Sequence, residues 1–283
     1  MIYTIQNAHL RVQIEDLGAQ LASIQDQEGR EFLWQGSPES WNRRAPILFP
    51  IIGRLKDNRY LVDGTAYELT QHGFARDMIF AVTQQAEQSV SFRLESSEET
   101  KRRYPFAFAL TVTYTLQENQ LIKSHRVENL SDRDMLYELG AHDGYRAAVR
   151  EDFIQLEGTE AVALYGMDGD NMLTPKDREV SGKLPLTPMT YGRDTLVFDN
   201  PGCARLRTAQ GEVAVSTQDF PYMGVWTPDK PFDTGFVCIE PWSTLPDGVF
   251  MGRELADKPG IRRLAPGQSE TLTYTTTITR TAI

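Results

Sequence analysis

The sequence predicts an all-β protein built from stacked antiparallel sheets. Period-two alternation dominates the chain, in runs rich in β-branched and aromatic residues such as "SVSFRLES", "LTVTYTL", "QLIKSHRVEN", "EVAVSTQ" and "TLTYTTTITR". Helical periodicity is scarce, and turn residues separate the runs. Many strands with almost no helix point away from a parallel α/β sheet. No stretch has linker composition and no internal repeat is seen, so residues 1–283 are expected to form a single domain, a size that all-β folds reach.

The elements follow in order. "MIYTIQNAHLRVQIED" has no basic segment leading into an apolar one and reads as the first strands of the mature protein. The apolar run "APILFPII" is interrupted by Pro50 and is too short to span a bilayer. Asp63-Gly64 in "VDGTAYEL" is a strong hairpin signal. In "QHGFARD", Gly73 marks a bend or a close approach, which puts His72 and Arg76 where strand meets loop. "SSEETKRRYPF" predicts a turn or two of helix, capped by Ser96 or Ser97 and stopped before Pro105. Residues 167–194, polar and rich in glycine and proline, read as a long surface loop of the kind that forms lids or binding loops. Its "DGDN" is not an EF-hand loop, because Met172 stands where an oxygen ligand is needed.

Composition narrows the partners. With 29 Lys+Arg against 39 Asp+Glu, the net charge of -10 argues against nucleic acid or an anionic membrane as the main partner. The two cysteines, Cys203 and Cys238, form neither a disulfide framework nor a metal-ligand spacing, so no metal is expected and a reducing cytoplasm suits the chain. Walker, dinucleotide, HExxH and GxSxG signatures are missing.

A few titratable groups in unusual company remain. Of four histidines, His9 and His125 read as structural or surface residues, whereas His72 in "QHGF" and His142 in "GAHDGY" stand beside glycine at strand ends. Glu240 closes the apolar run "FVCIEPW", where a carboxylate needs a partner or a polar site. Such an acid is a candidate general base.

Taken together and in this order, "FPIIGR", "QHGFARD", "YPFAFALTVTYTL", "GAHDGY" and "FVCIEPW" resemble the aldose 1-epimerase (galactose mutarotase-like) family, nearest its hexose-6-phosphate epimerase branch. The resemblance implies a large antiparallel β-sandwich, the galactose mutarotase-like supersandwich, and a cofactor-independent isomerase that interconverts sugar anomers. It implies that Glu240 takes the proton from the anomeric hydroxyl and His142 protonates the ring oxygen. It also implies that Arg54, Gln71, His72, Arg76 and Asp194 bind the sugar or its phosphate.

The chemistry asks for such a pair, since ring opening removes a proton from O1 and delivers one to O5. Trp226 and Trp242 offer flat faces for a pyranose. His142-Asp143-Gly144-Tyr145 departs from the family's usual proline after the histidine, and Asp143 is expected either to raise the proton affinity of His142 or to reposition the strand end. Between residues 43 and 76, six basic residues (Arg43, Arg44, Arg54, Lys56, Arg59, Arg76) outnumber three acids, an island suited to phosphate. Two rival readings stay open: a catalytically silent sugar-binding protein, and a glycoside hydrolase pairing Glu240 with Asp143 or Asp247.

Overall fold

The computed structural model describes residues 1–148, 150–168, 170, 172–187, 195–228 and 234–280. Two large antiparallel sheets face each other. The nine-stranded sheet runs, edge to edge, through Lys183–Pro185, Phe153–Leu156, Cys203–Thr208, Gly211–Ser216, Ser269–Arg280, Gln120–Asn129, Phe108–Gln117, Ser89–Glu95 and Ala81–Gln85. The eight-stranded sheet runs through Leu173–Ser181, Ala161–Met167, Thr195–Asp199, Tyr222–Trp226, Phe236–Trp242, Gly140–Ala141 and Ile47–Leu48. Its remaining strand, Asp143–Arg146, pairs with Phe236–Trp242 beside Gly140–Ala141. A three-stranded sheet of Ile2–Gln6, Leu10–Glu15 and Gln20–Asp26 packs on one end, with Tyr3 edge-on to Phe92. This is the antiparallel β-sandwich that the alternation predicts.

The core follows from the same alternation. In Gln120–Asn129, Leu121, Lys123, His125 and Val127 are buried while their neighbours face outward. His125 is therefore a core residue, stacked on Tyr274 with 5.7 Å between ring centroids. One apolar cluster fills the space between the sheets and reaches from Ile5 to Ile278. A second, smaller one gathers Leu48, Ile52, Leu173, Val197, Trp242 and Leu245.

Local expectations hold at the hairpin, where Arg59–Val62 and Thr65–Glu68 flank Asp63 and Gly64, both at positive φ. They hold also at the helix Glu98–Arg103, which Ser97 caps by accepting from the Thr100 amide. The 167–194 loop needs correction. Its described part contains the strands Leu173–Ser181 and Lys183–Pro185, both at sheet edges. An edge strand tolerates Pro175 and exposes most side chains on both faces, so its sequence imitates a loop. Among the described residues no helix is long and apolar enough to cross a membrane.

Candidate active site

Glu240 and His142 meet through strand register. Gly140 pairs with Trp242 and Asp143 with Ile239. The same register places His142 directly across from Glu240, a cross-strand pair. Pro241 has no amide to give the ladder, and at this point the neighbouring chain divides into Gly140–Ala141 and Asp143–Arg146 with His142 between them. His142 Nε2 lies 3.4 Å from Glu240 Oε2, and both residues are buried.

The two line a cavity of about 270 Å³, on the face of Phe236–Trp242 opposite to Val237 and Ile239, which belong to the main core. Arg54, Gln71, His72 and Arg76 line it, as expected, together with Trp226 and Trp242. Asp194 lies outside the described residues. Arg43, expected only as one member of the basic island, also lines it, and so does Trp41, to which no role was assigned from sequence. The Trp41 ring stacks on His142 at 4.9 Å while Trp226 approaches edge-on at 5.4 Å. A large aromatic in the polar stretch "SPESWNRR" was the only hint of Trp41.

The "QHGFARD" turn is held from below. Gly73 has φ +69, and a Cβ there would lie 2.3 Å from the Phe49 carbonyl oxygen, so only glycine fits. His72 itself has φ +67. Its amide donates to the Gly53 carbonyl at 2.7 Å, and the Gly53 amide donates to His72 Nδ1 at 3.1 Å. A nitrogen that accepts carries no proton, so neutral His72 keeps its hydrogen on Nε2 as a donor. Arg76 Nη2 donates to the Gln71 carbonyl at 2.6 Å.

Burial keeps both cavity histidines uncharged. It pushes His142 down to about 3, aided by the Arg76 and Arg43 guanidiniums and opposed by Asp143. His72 is held well below its ordinary value by burial, then by His142, Arg76 and Arg43. Arg76 is itself lowered by burial and by Arg43, with Asp77 opposing.

Asp143 acts on His142 only through its field. Strand alternation turns its side chain into the core, where Oδ2 accepts from the Lys123 ammonium, from Tyr274 Oη at 3.0 Å and from Tyr145 Oη at 3.1 Å. Its pull on the proton of His142 is outweighed by burial. Asp247 is tied to Lys258 Nζ at 3.0 Å and to the Lys56 amide at 3.1 Å. Neither carboxylate lines the cavity with Glu240, which removes the expected hydrolase pairs. The basic island divides as well. Arg43, Arg54 and Arg76 line the cavity, while Arg59 pairs with Glu68 at 2.8 Å and Arg44 lies 4.0 Å from Glu15.

The family model for aldose 1-epimerase matches residues 1–262. The chain belongs to the aldose 1-epimerase family. Among its relatives, the LacX proteins of Lactococcus lactis, chromosomal and plasmid, are 30% identical over 98% of this chain and 99% of their own. A galactose mutarotase related enzyme from Lactobacillus acidophilus superposes with a TM-score of 0.93 at 32% identity, covering 100% of this chain and 98% of its own. A galactose mutarotase-like protein from Lactobacillus casei gives 0.91 at 26% identity, over 98% and 100%. The fold of this aldose 1-epimerase family member is thus shared nearly end to end.

Proposed function

We propose that the protein is a mutarotase that interconverts the α and β anomers of a hexose or hexose 6-phosphate by acid–base ring opening, and that residues 1–283 act as one domain. The observation that carries this reading is the Glu240–His142 pair, 3.4 Å apart and facing a cavity of about 270 Å³. Glu240 accepts the O1 proton as the C1–O5 bond breaks, and His142 delivers a proton to O5. After rotation about C1–C2 the aldehyde recloses on its other face with the roles reversed. The Nε2–H of His72 supplies a neutral hydrogen bond to a sugar oxygen, and Trp41, Trp226 and Trp242 cover its C–H faces.

The reactive form has Glu240 ionised and His142 protonated. Burial makes that imidazolium sparse and strongly acidic, hence an able donor to a ring oxygen. A phosphate group is favoured by the three arginines, since an anion would offset both the burial and the Arg43 repulsion that lower Arg76. Polarimetry on freshly dissolved α-glucose and its 6-phosphate tests the proposal: mutarotation should run faster with protein than in buffer. The neutral state of His142 favours a second reading, sugar binding without turnover. In that case a sugar binds and its mutarotation stays at the buffer rate.

A further inference from the structure

Beneath the catalytic pair lies a third donor that the sugar chemistry does not use. Cys238 and Glu240 are two residues apart on Phe236–Trp242, so their side chains share a face, and His142 stands across from Glu240. The ligand atoms of His142, Cys238 and Glu240 all lie within 4.8 Å of one another, and all three residues are buried. Cys238 is a free thiol. We propose that these three side chains form a site for a thiophilic divalent cation such as Zn²⁺, and that its binding shuts the cavity to sugar.

The donor set fits that ion. Bonds of about 2.0–2.3 Å in a tetrahedral shell put neighbouring donors roughly 3.5 Å apart. Side-chain rotation of about 1 Å therefore draws the three atoms in from their present spacing. The ammonium-free set of one thiolate, one carboxylate and one neutral imidazole offsets the two positive charges, so the buried complex is neutral overall. The thiol proton leaves to solvent as the S–metal bond forms. A fourth position faces the cavity and takes water. The thiolate selects Zn²⁺, Cd²⁺ and Co²⁺ over Mg²⁺ and Ca²⁺. Arg43 and Arg76 line the same cavity and oppose a cation, so affinity should be moderate rather than that of a structural zinc site. The blocking effect rests on the mutarotase reading, whereas the binding itself does not.

The test is a Co²⁺ titration of the reduced full-length protein followed by absorbance, alongside Zn²⁺ inhibition of mutarotation, in wild type and Cys238→Ala. Wild type should develop a thiolate-to-cobalt charge-transfer band that Cys238→Ala lacks. Zn²⁺ should inhibit wild type in competition with sugar, at least tenfold more weakly in Cys238→Ala, with Mg²⁺ inert. Absence of the band, or equal Zn²⁺ inhibition of both proteins, overturns the site. A Cys238-dependent band in a protein that mutarotates nothing keeps the metal site and removes the mutarotase reading.

Discussion

Lowering the pH from 7 to 5 should strip away much of the protein's stability, because the fold buries histidines in their neutral form. His125 is pushed down to about 4 by burial, with Asp143 opposing, and His142 to about 3. Unfolded, both return to about 6.5. Between the folded and unfolded values the unfolded chain binds more protons, so stability falls as pH falls and is fully present only above about 6.5. For each of these two residues the loss between pH 7 and pH 5 is about 2 kcal/mol. His72, also lowered, adds to it with the same sign. A total of about 4 kcal/mol or more is a large part of the roughly 5–15 kcal/mol that holds a domain together. Urea midpoints at pH 7, 6 and 5 read the effect, provided the dependence on denaturant keeps its slope. His125→Asn should flatten the pH profile without touching the cavity. A stability constant to within about 1 kcal/mol over this range would mean that the imidazoles are hydrated, and the burial argument would fail.

Other perturbations follow from the same geometry. Glu240→Gln and His142→Asn should each cut turnover by about a hundredfold or more while the circular dichroism spectrum stays β-type. Arg76→Ala should raise the KM for hexose 6-phosphate far more than that for the free hexose; equal changes would count against phosphate recognition. Lys123→Met leaves Asp143 buried without its cation and should cost about 3–5 kcal/mol in urea unfolding. Adding Asp143→Asn should recover part of that loss.

Much of this was legible in the chain. Alternation identified the strands, Asp63-Gly64 the hairpin, Ser96 or Ser97 the helix cap (the structure selects Ser97), and Gly73 a bend or close approach, whose neighbour is Phe49. These signals are local, and local chemistry decides them. What failed to show depends on pairing. The face that Asp143 presents follows from which strand it joins, so its core ion pair with Lys123 could not be read from its place beside His142. The meeting of His142 and Glu240 requires a register set by residues about a hundred positions apart, and only family resemblance anticipated it. Trp41 reaches His142 from a segment without periodicity. The edge strand Leu173–Ser181 passed for a loop because neither of its faces is consistently apolar.

The most direct measurement is two-dimensional exchange NMR on equilibrated glucose and glucose 6-phosphate, with wild type and Glu240→Gln at equal concentration. Wild type should produce cross-peaks between the α and β H1 resonances of at least one sugar, and Glu240→Gln should not. Cross-peaks of equal strength with both proteins, or none with wild type for any hexose tried, would contradict proton transfer between Glu240 and His142 across a bound sugar.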